Sequence, residues 1–250
     1  MKGHGTLQHR ELLDKTIRWC DVPAQRMVLG TPEETIDEIV ARHQDLEIPG
    51  PWFVKECPAH EVQVEAFAIA ENLVTNRLMG VAAAELGLDW SADRGPDHPA
   101  AVSHNEAVAF CEWTAGQLGI SIRLSAEAEW ELAARGTDGR VFPWGDRFSS
   151  SMANTRESGT GGTVPVGSFP AGRSPFGLLD ASGNLDEWTS TVYSPYPGAP
   201  AEVPEVEDWA LSPMVTRGGG FNHTRDAARC TRRHGLYEPG PVGFRVVRSR

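Results

Sequence analysis

The sequence predicts an α+β domain with little regular secondary structure. Three observations lead there. Helix-period and strand-like stretches share the first 136 residues. Between 137 and 216 that periodicity gives way to Gly, Pro, Ser and Trp turns. Gly and Pro number 26 and 18 of 250 residues, above the usual share but below the disordered range. At 40% hydrophobic and 23% charged, the chain can bury a sizeable core.

In chain order, residues 6–20 read as a helix, with Leu13, Ile17 and Cys20 on one face. Arg26 to Leu29 is strand-like and stops at Gly30. Thr31-Pro32-Glu33-Glu34 carries helix-start signals, a Thr cap and a following Pro, and Ile36, Ile39, Val40 and His43 continue along one face. His60 to Phe67 alternates as a half-buried strand does. Ser103 to Glu106 is a capping box whose helix turns Val108, Cys111, Ala115 and Leu118 inward. A further helix is predicted from Ala126 to Arg135, stopped by Gly136. Ser194 to Pro213, rich in Pro and acidic residues, is read as an exposed loop or a lid. The expected organisation is an N-terminal helical extension over 1–21 and a single domain over 22–250.

A net charge of −11 argues against nucleic acid and anionic membranes as partners. The C-terminal arginines, Arg217 through Arg250, either pair with the acidic remainder or hold an anionic ligand. No apolar run of about 18 residues is present, and the first residues carry no apolar signal core, so a cytoplasmic location is expected. Cys20, Cys57, Cys111 and Cys230 are widely spaced and read as free thiols. No G-x-S-x-G, P-loop or dinucleotide fingerprint occurs, and the Gly159–Gly162 loop lacks the strand and helix a phosphate cradle needs.

Several segments, taken in order, carry a resemblance. They include Arg123-Leu124-Ser125-Ala126-Glu127-Ala128-Glu129-Trp130-Glu131, Phe142-Pro143-Trp144-Gly145, Ala153-Asn154-Thr155 and Gly183-Asn184-Leu185-Asp186-Glu187-Trp188. Arg217-Gly218-Gly219-Gly220-Phe221 and Gly243-Phe244-Arg245-Val246-Val247 follow. Over residues 22–250 the chain resembles the formylglycine-generating-enzyme, or sulfatase-modifying-factor, family. That resemblance implies a C-type-lectin-like fold. The family mixes copper-dependent oxidases, iron-dependent sulfoxide synthases, other oxidative enzymes and lectin-like binding proteins, so fold alone does not settle the reaction.

The resemblance implies structural Ca²⁺ on Asp180, the carbonyls of Gly183 and Leu185, and Glu187, with a weaker second site at Asn154 and Thr155 where Ser158 replaces a usual carboxylate. It also implies a copper-binding cysteine pair after Arg217-Gly218-Gly219. Here His223 takes the first place and Ala227 or Ala228 the second, so copper is not expected. Cys230 is read as a buried bystander. His104 and Asp186 stand where the family usually has Trp. Two imidazoles and a carboxylate suit Fe(II), so His223, His104 and Asp186 are the candidate catalytic and iron-binding residues, with His234 in reserve. Arg229 and Arg233 are the candidates for orienting a carboxylated substrate. The expected function is an O₂-using metal-dependent oxidation of an amino acid, peptide or small metabolite. The alternative is a non-catalytic binding module of the same fold.

Overall fold

The structure, a computed structural model, describes residues 2–200, 213–236 and 241–249. In chain order its elements are α1 (Lys2–Thr16), β1 (Trp19–Val22), β2 (Gln25–Leu29), α2 (Ile36–Arg42), α3 (Pro51–Val54), β3 (His60–Val64), β4 (Phe67–Ala70) and α4 (Asn76–Leu86). They continue with α5 (His104–Leu118), β5 (Ile122–Leu124), α6 (Glu127–Arg135), β6 (Asp186–Val192), β7 (Met214–Arg217), β8 (Arg233–Leu236), β9 (Val242–Gly243) and β10 (Val246–Ser249). The predicted α+β class holds. Most of the 194–213 loop lies outside the described residues.

Local signals placed several elements correctly. Ser103 caps α5 with its hydroxyl on the Glu106 amide, and Glu106 returns to the Ser103 amide at 2.7 Å. Gly136 ends α6 at φ 72°, where a side chain is strained. Two expectations are corrected. The first helix stops at Thr16, and Cys20 belongs to β1. Thr31 does not cap α2: a 3₁₀ turn over Glu33–Thr35 precedes that helix, and the Thr31 hydroxyl donates to Glu56 at 2.7 Å. His43 is buried, with its Nδ1 donating to the Ile39 carbonyl.

One four-stranded antiparallel sheet runs β1-β4-β10-β5. Strand alternation sends neighbouring residues to opposite cores. Val246 and Ala70 face a cluster with Leu13, Met79, Phe110 and Phe244, while Val247 and Ile69 face one with Trp130, Leu132 and Leu178. Helices thus cover one face, and α6 with the ordered turns covers the other. The expected boundary at residue 21 cuts through β1, and Leu13 is fully buried, so the N-terminal segment is built into this core. A second pair joins β2 to β3, and the second four-stranded sheet runs β8-β7-β6-β9. Among the described residues no helix is long and apolar enough to cross a membrane.

Candidate functional site

The site grows from the second sheet. Register opposes Glu187 to Arg217, and Arg217 to Arg233. Opposed residues share a face. These three point inward, where Arg217 pairs with Glu131 and Arg233 with Glu127 at 2.7 Å. The other face carries Trp188 opposite Thr216 and Thr216 opposite His234, and alternation adds Asp186. Three enclosed polar atoms on this second face, Asp186 Oδ1, Thr216 Oγ1 and His234 Nε2, find no hydrogen-bond partner among the described residues. Buried polar atoms are seldom left so, and atoms of this kind are met by ordered water or by a ligand.

The turn after β7 brings in His223. Gly219 has φ 66°, and a Cβ there would lie 2.9 Å from the Ala227 carbonyl oxygen, so only glycine lets the chain pass. The turn then closes with the His223 amide donating to the Gly220 carbonyl at 2.9 Å, and the Phe221 amide donating to Asn184 at 3.1 Å. This seats His223 Nδ1 3.0 Å from Asp186 Oδ2. The His223 and His234 ring centroids are 6.1 Å apart.

The two imidazoles are driven apart in basicity. The Asp186 carboxylate raises His223 above its ordinary value, against a smaller opposing effect of burial. Burial, aided by Arg232, His223 and Lys55, pushes His234 well below its ordinary value. His223 Nδ1 lies between Asp186 Oδ2 at 3.0 Å and the Gly220 amide at 3.2 Å, and 40% of the side chain stays exposed. His234 is neutral, with Nε2 shut off from solvent.

Of the residues singled out from sequence, the structure brings His223, Asp186 and His234 together. It corrects His104, whose Nε2 donates to the Thr189 carbonyl at 3.1 Å while its ring packs edge-on against Trp188. It corrects Arg229 and Arg233 as substrate binders. Arg229 is buried between Glu56 and Asp226, and Arg233 is buried on Glu127. Arginines already held by buried carboxylates have no charge to spare for a ligand.

Of the expected calcium ligands, Glu187 is engaged elsewhere. Both Glu187 oxygens accept from Arg245 at 2.6 Å, so Glu187 anchors an ion pair. At the second expected site, Asn154 Oδ1 accepts the hydroxyls of Ser158 at 3.0 Å and Thr160 at 2.5 Å. The Thr155 carbonyl accepts Ser158 at 2.7 Å. Asp180 Oδ2 accepts the Gly167 amide at 2.6 Å. Among the described residues no group of three or more His, Cys, Asp and Glu is gathered tightly enough to hold a metal ion.

Copper–thiolate chemistry does not fit. Cys230 is fully buried in the Trp130 cluster, and burial pushes its thiol up to about 12. One contributor escaped the sequence reading. Thr216 is an ordinary strand residue until the register is known.

A model of the sulfatase-modifying factor enzyme 1-like domain matches residues 30–250. An inactive C-alpha-formylglycine-generating enzyme 2 from Mus musculus is 37% identical over 162 residues, covering 59% of this chain and 48% of that protein. A formylglycine-generating enzyme from Bos taurus is 35% identical over 150 residues, covering 54% and 38%. The chain thus spans less than half the length of these relatives. The structure of PvdO from Pseudomonas aeruginosa superposes with a TM-score of 0.74 at 25% identity, covering 93% of this chain and 94% of that one.

Proposed function

Because the chain belongs to the sulfatase-modifying factor enzyme 1-like family, we propose that it is an oxidative member whose centre is the face formed by Asp186, His223 and His234. The observation that carries this reading is the set of unsatisfied polar atoms on that face beside a solvent-reaching imidazole. Imidazole and carboxylate are donors for ferrous iron rather than for soft Cu(I). His223, His234 and Asp186 carry the donor types, but in this structure they are not gathered tightly enough to hold an ion, so iron would bind only as they close in. Iron held there would supply O₂ activation. The substrate class is an amino acid, a peptide or a small metabolite.

The chain's own groups divide the proton work. His223, held by Asp186, can deliver a proton from a partly exposed ring. His234, kept neutral, offers Nε2 as an acceptor or ligand. Two titratable groups pushed in opposite directions are the usual basis of an acid–base division.

Anaerobic Fe(II) titration of metal-free protein tests this. About one tightly bound iron per chain is expected, abolished by His223→Ala or His234→Ala and kept by His104→Ala. A second reading, a binding module without catalysis, is favoured by the 37% identity to a relative named inactive and by the lack of a tightly gathered ligand set. Wild-type protein that binds no iron while folded would select it.

A further inference from the structure

Helix α2, the turn after α6 and the turn before β8 line an open cavity of about 300 Å³, a volume that suits a small molecule. None of Asp186, His223 and His234 lines it. Arg42, Arg135, Arg140 and Arg229 do, against one carboxylate, Glu38. Two of these arginines are fixed walls. Arg229 is spent on Glu56, Asp226 and Thr231. Arg135 is spent on Glu131 and on the carbonyls of Val28, Gly30, Gly139 and Arg140. The other two have donors to spare, because a guanidinium presents a whole fork of N–H groups. Among the described residues, the Arg42 guanidinium donates only to Glu38, at 2.5 Å. Both of those side chains are more than half exposed, so the pair contributes little and exchanges readily. Arg140 donates to both Asp138 oxygens and to the Pro143 carbonyl, which leaves further N–H groups. The Asp138 side chain is 58% exposed and that of Arg140 only 25%, so the carboxylate sits out in water while the guanidinium is turned inward.

We infer that this cavity binds a small organic anion, a carboxylate or a phosphate ester, held between Arg42 of α2 and Arg140 of the turn after α6. The inference goes beyond the oxidative reading and shares no residue with it. An anion that bridges the two guanidiniums replaces the weak contact with Glu38, whose side chain is already 66% exposed and moves into water. Paired N–H groups meeting paired oxygens fix the ligand's orientation as well as its charge. Pro32, Ile39 and Val141 line the same cavity and flank the ligand's carbon skeleton. His43 lines it too. Its Nδ1 is spent on the Ile39 carbonyl at 2.8 Å, which holds the ring and leaves Nε2 as the ring atom for an occupant.

The test titrates metal-free, isotope-labelled full-length protein with phenyl phosphate, benzoate and the uncharged benzamide, and follows the His43 ring resonances. At least one of the two anions is expected to saturate and shift them, about ten-fold more tightly than benzamide, and the tighter anion identifies the head group. Arg42→Gln combined with Arg140→Gln should weaken that anion by about ten-fold or more and leave benzamide unchanged. If the double variant loses its native spectrum, Arg42→Gln alone, a change on an exposed helix face, is read in its place and should weaken the anion by several-fold. Glu38→Gln removes the competing carboxylate and should bind the anion at least as tightly as wild type. Benzamide bound as tightly as both anions, anion affinity unchanged by the arginine substitutions, weaker anion binding in Glu38→Gln, or no saturable binding each overturns the inference.

Discussion

Across 3.0 Å, Asp186 favours the charged form of His223. The folded His223 holds its proton more strongly than the free ring, so its contribution to stability is complete below the ordinary value of 6.5 and is lost as pH rises through the higher folded value. Asp186→Asn keeps the shape and removes the negative charge. The His223 midpoint, followed by the ring C2 proton in metal-free protein, is expected to fall below that of wild type. A midpoint that stays put would remove Asp186 from the site. His104 makes the opposite case. Its hydrogen bond to Thr189 and its contact with Trp188 give it a structural role. His104→Ala should cost about 1–2 kcal/mol in denaturant unfolding and leave iron affinity unchanged. A loss of iron without loss of stability would return His104 to the ligand set.

The turn between β7 and β8 is the element that aims His223. Gly219→Ala introduces a Cβ 2.9 Å from the Ala227 carbonyl oxygen at φ 66°. Unfolding by urea should show a cost of about 1–3 kcal/mol, and the His223 midpoint should drift toward its ordinary value as the turn shifts. Elements with local signals were legible in the sequence: the Ser103–Glu106 box and the Gly136 stop both sit where expected. Strands β6 to β8 were not. Their buried face is charged, with Glu187, Arg217 and Arg233 all enclosed, so the usual apolar–polar alternation is missing. His223, Asp186 and His234 could be singled out because each is a chemically odd residue in a marked segment. His104 misled because its capping position says nothing about where the ring hydrogen bonds. Thr216 carries no motif, and only register exposes it.

At the scale of the molecule, buried arginines hold together a half with few regular elements. Arg245 joins Glu187 in β6 to the carbonyls of Ala70, Glu71 and Leu179. Arg217 ties β7 to α6 through Glu131, and Arg229 ties its turn to Glu56 at 2.5 Å. Removing one partner of such a pair strands the other, and Arg245→Met should cost about 3–5 kcal/mol. In the loop that holds Asn154, Ser158 and Thr160 give their protons to Asn154 Oδ1 and the Thr155 carbonyl. We propose that guanidinium groups and hydroxyls do the cross-linking for which calcium is suited. A ligand that binds only the folded state raises the melting temperature as its concentration rises. Millimolar Ca²⁺ added to metal-free protein should accordingly move the melting temperature by less than about 1 °C, whereas the Arg245→Met loss amounts to several degrees for a domain of this size. The decisive comparison adds Ser158→Ala with Thr160→Ala, which uncovers Asn154 Oδ1 and Thr155 O without adding a carboxylate. Wild-type protein that is stabilised by calcium as strongly as this double variant would show that the hydroxyls do not stand in for the ion.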